Sequence, residues 1–80
     1  MEKEKLLQHL DLLHTTIMGE KRITHNLKIQ VDDVVFYLKN KILDSNCMIL
    51  KKGKNYYCEV DGIRITINSY NYCIITAYII

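Results

Sequence analysis

The sequence predicts an α+β fold in which two to three N-terminal helices pack on one face of a four-stranded antiparallel β-meander. Three observations carry that prediction. Apolar residues recur at three- and four-residue spacing up to about residue 43, and at two-residue spacing from residue 47 onward. Asp44-Ser45-Asn46 separates the two patterns, and Asp61-Gly62 lies between two β-rich runs. The chain has 80 residues, no proline and three glycines, which fits one domain over residues 1–80, with a helical half at 1–44 and a meander half at 47–80.

The first helix is expected over residues 2–18, where Leu6, Leu7, Leu10, Leu13 and Ile17 form a stripe and Gly19 suits the position after a helix end. A short second helix is expected over 20–28, with Ile23 and Leu27 on one face. A third runs from Asp32 to Leu43 on the stripe Val34, Val35, Leu38 and Ile42, and Asp32 or Asp33 can cap its free amides.

Strands are expected at Cys47–Lys51, Asn55–Val60, Ile63–Asn68 and Tyr72–Ile79. Lys52-Gly53-Lys54 turns the chain after the first, and Ser69-Tyr70-Asn71 after the third. Asp61-Gly62 predicts a two-residue hairpin, because both central residues need positive φ. That loop pairs Val60 with Ile63, Cys58 with Ile65 and Tyr56 with Ile67 on an apolar face. The opposite face pairs Glu59 with Arg64, Tyr57 with Thr66 and Asn55 with Asn68, so its one acid meets its one base, a pairing that contributes up to ~1 kcal/mol. A one-residue slip would place Ile65 among polar residues. In the fourth strand, Cys73, Ile75, Ala77 and Ile79 are assigned to the core. Residues 73–80 are uncharged and rich in β-formers, so this strand must be central, helix-covered or paired across a dimer.

Hydrophobic residues make up 49% and charged residues 25% of the chain, which excludes disorder. A chain this short buries only ~60% of the surface it exposes unfolded, which leaves room for a homodimer. The net charge is +2, and the excess sits in Lys51, Lys52 and Lys54, a run that contacts phosphate in some proteins and is a solvated turn in more of them. A dedicated DNA-binding domain is far more basic. Cys47, Cys58 and Cys73 are odd in number and lack zinc spacing, so they read as reduced, buried or half-buried residues. The N-terminal residues lack a signal-peptide core, and no apolar run reaches membrane-spanning length. A cytoplasmic bacterial or phage protein is expected, with no metal and no cofactor.

Three segments carry a resemblance. They are Leu13-His14-Thr15-Thr16 with Gly19, Arg22-Ile23 and Asn26-Leu27; Asp33-Val34-Val35 with Lys39, Lys41 and Ile42; and Gly53-Lys54-Asn55-Tyr56-Tyr57 with Ile65-Thr66-Ile67-Asn68 and Ile74-Ile75-Thr76-Ala77. Together they resemble a small bacterial family known as a domain of unknown function, over about Leu13 to Ala77. Members often end Thr-Ala-His-Lys, whereas this chain has Thr76-Ala77-Tyr78-Ile79-Ile80, which weakens any role for a terminal histidine or lysine. The resemblance supports the fold and implies no activity.

Two groups of side chains can carry chemistry. The first is His14, Thr15, Thr16, Arg22 and Asn26, which can hold a phosphate or polarise a hydroxyl at a helix end. The structural reading of the same residues is that the threonines end a helix, Arg22 pairs with an acid, Asn26 bonds to backbone and a partly buried His14 anchors a loop. The second is the polar sheet face, Tyr57, Arg64, Thr66, Asn68, Thr76 and Tyr78, with Lys54 at its margin. Arginine with aromatic and hydroxyl groups on a sheet suits RNA or a protein partner.

No phosphate-binding glycine loop, nucleophile elbow or paired-carboxylate motif occurs, and no catalytic residue is assigned. The first functional reading is therefore a non-catalytic binding module for a protein or RNA partner. The alternative is a toxin-like ribonuclease, since the helices-then-meander order resembles barnase, colicin and RelE-type toxins at fold level; His14, Arg22, Arg64, Thr66 and Tyr78 would then supply its groups. A helical DNA reader over residues 2–29 ranks third, because residues 1–40 carry six basic and six acidic groups.

Overall fold

The computed structural model describes residues 2–80, with side chains from Lys3 onward. The elements are α1 (Glu2–Gln8), a 3-10 turn (Leu10–Leu12), α2 (Ile17–Leu27), α3 (Val34–Leu43), β1 (Met48–Lys52), β2 (Asn55–Val60), β3 (Ile63–Asn68) and β4 (Ile74–Ile79). The strands form one antiparallel sheet in the order β1-β2-β3-β4. On one face, α1 packs against β1, α3 against β2 and α2 against β4. Leu6, Ile23, Leu38, Ile42, Cys58, Ile65, Ile67 and Ile74 are fully buried between the two layers.

The first helix departs from expectation. Instead of running through residue 18, it stops at Gln8 and gives way to the 3-10 turn, and Leu13–Thr16 is extended up to the start of α2 at Ile17. Two β-branched threonines disfavour helix continuation, and Thr16 caps α2 by accepting a hydrogen bond from the Gly19 amide (2.9 Å). Gly19 therefore lies in the first turn of α2 rather than beyond the end of α1. Ile17 belongs to that first turn and is exposed, so it leaves the predicted stripe. Apolar spacing alone cannot separate one long helix from two short ones joined by an extended link.

The third helix begins behind its cap as expected: Asp33 Oδ1 accepts from the Phe36 amide (2.9 Å). The β2–β3 hairpin has the predicted register at all six pairs. Asp61 and Gly62 both adopt positive φ (51° and 75°), as this turn requires. Lys41 reaches from α3 to Asp61 (2.8 Å) and ties the helix to the turn.

The fourth strand corrects the expected face assignment. Its register with β3 passes from Thr66–Thr76 to Ile67–Ile74, which leaves Ile75 as an extra, bulged residue. The bulge reverses the alternation, so Ile74 enters the core while Ile75 is 38% exposed. Ala77 is buried as expected, Cys73 is half-buried, and Ile79 is exposed at the strand end. Tyr72, expected at the start of this strand, instead has φ 59° and is buried, with its ring stacked on His9 and Tyr56.

Candidate functional site

β4 is a sheet edge, and the link into α2 covers it. The His14 amide donates to the Tyr72 carbonyl (3.3 Å), and the His14 carbonyl accepts from the Ile74 amide (2.7 Å), a short parallel bridge. Thr15 Oγ1 donates to the Ile74 carbonyl (2.9 Å). Asn26, on α2, donates from Nδ2 to the Ala77 carbonyl (3.2 Å) and to Thr76 Oγ1 (3.5 Å). A Cβ at Gly19 would collide with Thr15 Oγ1, so the missing side chain lets α2 approach this strand. Thr15 and Asn26, with Gly19 leaving room for Thr15, thus join α2 and the link before it to Ile74–Ala77.

That arrangement absorbs most of the first predicted cluster into the fold. Thr16 caps the helix that follows it rather than ending the one before, and Asn26 bonds to backbone. The His14 side chain is exposed and its ring Nδ1 lies 3.0 Å from the Leu12 carbonyl, so the loop is anchored by backbone rather than by a partly buried imidazole. Arg22 is exposed and pairs with no acid among the described residues.

The open sheet face, away from the helices, is built in three rungs. One rung is Met48, Glu59, Arg64 and Tyr78; the next is Leu50, Tyr57, Thr66 and Thr76; the third is Lys52, Asn55 and Asn68. In the first rung, Arg64 donates from Nε (2.8 Å) and Nη2 (2.6 Å) to Glu59 Oε2, and from Nη1 to Tyr78 Oη (3.1 Å). The Glu59 carboxylate, and after it the Tyr78 phenol, hold the guanidinium even more firmly in its charged form. In the second rung, Thr66 is 7% exposed although it points to the polar side. In the third, Asn68 Oδ1 accepts from the Tyr70 and Asn71 amides (2.8 and 3.2 Å), which commits it to the β3–β4 turn. Lys54 stands exposed in the β1–β2 turn.

Sequence reasoning placed Tyr57, Arg64, Thr66, Thr76 and Tyr78 together on this face, and the structure brings them together. It leaves His14 and Arg22 elsewhere. His14 lies beside Cys73 and Arg64 beside Tyr78, five residues apart along the strand, roughly 15 Å at ~3.3 Å per residue. The apolar margin of this face was not among the expected site residues: Met48 is 71% and Leu50 50% exposed. Their alternation with Ile49 was the available signal, and it carries weight only once β1 is known to be an edge. A shallow groove lined by Leu50, Lys52, Gly53, Tyr57, Glu59 and Arg64 crosses this part of the face.

Cys47 and Cys58 are buried on the helix side, free and in contact with one another. Burial pushes both thiols up, Cys58 far above the ordinary range. The folded state therefore keeps protons that the unfolded chain loses above about pH 8.5, so stability falls as pH rises past that point. In thiol labelling of the native protein, half-buried Cys73 is expected to react first, with Cys47 and Cys58 reacting only on unfolding. Equal labelling rates at all three positions would contradict this burial pattern.

Among the described residues, no cluster of histidine, cysteine and carboxylate side chains is arranged to hold a metal, and no helix is long and apolar enough to cross a membrane. A family model described as a protein of unknown function (DUF3781) matches residues 7–78. No curated protein and no solved structure matches the chain.

Proposed function

The chain belongs to the DUF3781 family of proteins of unknown function, and we propose that it is a non-catalytic binding module whose open sheet face takes up a protein partner. The observation that carries this reading is the composition of the face: exposed Met48 and Leu50 and half-buried Tyr57 adjoin an arginine whose guanidinium is already engaged by Glu59 and Tyr78. Apolar and tyrosine side chains beside a fixed polar group are typical anchors of protein contacts. A phosphate would have to compete with the Glu59 carboxylate for Arg64, which weighs against RNA on the same surface. The toxin-like ribonuclease reading gains no support from the geometry, since His14 and Arg22 stand apart from Arg64, Thr66 and Tyr78. The proposal includes a bacterial or phage cytoplasmic setting, in keeping with the reduced thiols.

The test is affinity capture from host lysate with and without nuclease, comparing the native chain with Leu50→Ala, Tyr57→Ala and Arg64→Ala. A specific protein, retained after nuclease and lost in at least two variants by about tenfold or more (each anchor being worth more than ~1 kcal/mol), is the expected result. Retention of RNA in place of protein, or capture indifferent to all three substitutions, would overturn the proposal. Enrichment of tagged copies of the chain itself would identify a homodimer as the partner.

A further inference from the structure

The two edges of the sheet are treated differently. The outer side of β4 receives the His14 backbone, the Thr15 hydroxyl and the Asn26 amide. The outer side of β1 receives nothing comparable: its ladder is with β2 alone, and no other hydrogen bond reaches Met48–Lys52 among the described residues. An edge strand with free backbone groups is a template for one more strand. Its side chains set the conditions for that strand. Met48, Leu50 and Lys52 lie on the open face, while Ile49 and Lys51 alternate to the other.

We infer that β1 accepts an extended, acidic segment of the partner protein as a fifth strand. This inference rests on the binding-module reading and names how the partner is held. The incoming segment needs apolar residues opposite Met48 and Leu50, and acids opposite Lys51 and Lys52. Read antiparallel to β1, the orientation β2 takes on its other side, its pattern is acid, acid, apolar, any, apolar. Charge decides between this occupant and a second copy of the chain. Pairing β1 with itself in a two-fold, antiparallel way would set Lys51 and Lys52 against Ile49 and Met48 of the other copy and give neither lysine an acid, and Lys54 adds a further positive charge at the same end of each strand. Lysine on an edge strand is a recognised guard against self-pairing, and the same lysines attract an acidic strand. Backbone pairing supplies the general attraction, while the lysine pair supplies the choice.

The experiment uses the full chain and two synthetic peptides, acetyl-Glu-Glu-Val-Thr-Val-amide and acetyl-Lys-Lys-Val-Thr-Val-amide, at low salt. Backbone amide NMR reports both the site and the affinity. The acidic peptide is expected to shift and protect amides of residues 48–52 and to bind about tenfold more tightly than the basic one, a preference set by two cross-strand charge pairs. The double substitution Lys51→Glu/Lys52→Glu should reverse that preference. Equal weak binding of both peptides, no binding, or a preference unmoved by the charge reversal would overturn the inference. An oligouridylate probe that takes the same edge in place of the acidic peptide would also overturn it and identify RNA as the occupant. If lysate capture depends on Tyr57 and Arg64 while the peptide preference is absent, the sheet-face reading stands and the edge inference fails.

Discussion

Deletion of residues 73–80 is expected to leave no soluble, folded protein. The segment supplies β4, and with it Ile74 and Ala77 from the centre of the core. It also supplies the carbonyls of Ile74 and Ala77, which receive Thr15 and Asn26, and the Ile74 amide, which reaches His14. Fully burying a side chain the size of isoleucine contributes about 1.5–3 kcal/mol, and each of these hydrogen bonds about 1 kcal/mol. A domain of this size has a total stability of roughly 4–12 kcal/mol, and without β4 the helix α2 has lost its docking surface. β3, with Ile63, Ile65 and Ile67 on its inner face, would become a bare, apolar edge. The measurement is the soluble fraction on expression with far-ultraviolet circular dichroism. A soluble truncated chain with native-like dichroism would contradict the assignment. Removal of Ile79 and Ile80 alone is the control. Both are 56% exposed, so that shorter deletion should cost no more than about 1–2 kcal/mol, mainly the Ile80 amide bond to the Gly62 carbonyl.

Gly19→Ala is expected to destabilise the protein by about 1–3 kcal/mol, although alanine is the better helix former by ~1 kcal/mol. The new methyl would occupy the space of Thr15 Oγ1 and crowd Thr16 Oγ1 at 3.2 Å. Thr15 would have to leave the Ile74 carbonyl, and a half-buried bond between α2 and the sheet would be lost. The decisive comparison is a double-mutant cycle. Thr15→Ala removes the obstructing hydroxyl and costs about 1 kcal/mol by itself. In that background Gly19→Ala no longer meets the Thr15 oxygen and keeps only the milder contact with Thr16 Oγ1 at 3.2 Å, so the double variant should be more stable than the sum of the single effects by about 1 kcal/mol or more. Urea unfolding of the four proteins measures this. Additive effects would mean that the close approach to Thr15 is immaterial.

These two expectations concern the parts of the fold that were hardest to read from the chain. The β2–β3 hairpin was legible in full, because Asp61-Gly62 fixes a loop of two residues and the alternation on both sides agrees with one register. The third helix was legible for a similar reason: its stripe and its aspartate cap are local signals that point the same way. Residues 9–19 were not. Leu10 and Leu13 fit a helical stripe with Leu6, and they are buried as that stripe requires, yet the backbone that buries them is a 3-10 turn and an extended link. The energetic preference for the link lies sixty residues away, in backbone groups of β4 that need partners. The β4 bulge escaped for the same reason. Ile74 and Ile75 are chemically equal, and which one enters the core is settled by β3 and α2.

Of the candidate site, Tyr57, Arg64, Thr66, Thr76 and Tyr78 were placed on one face by alternation, and Glu59 opposite Arg64 by register. The engagement of the arginine by both Glu59 and Tyr78 needed a third strand beside it. The apolar margin at Met48 and Leu50 needed the knowledge that nothing covers it.

Local sequence patterns suffice for the fold class, the central hairpin, the core of α3 and the polar character of one sheet face, because each rests on periodicities and turn chemistry that act within about a dozen residues. Long-range packing sets the rest: Thr15 and Asn26 serve a sheet edge, Gly19 is small to admit Thr15, and β1 is the edge left open. Those roles depend on which backbone groups lack partners once the sheet has formed, and no local run of residues contains that information.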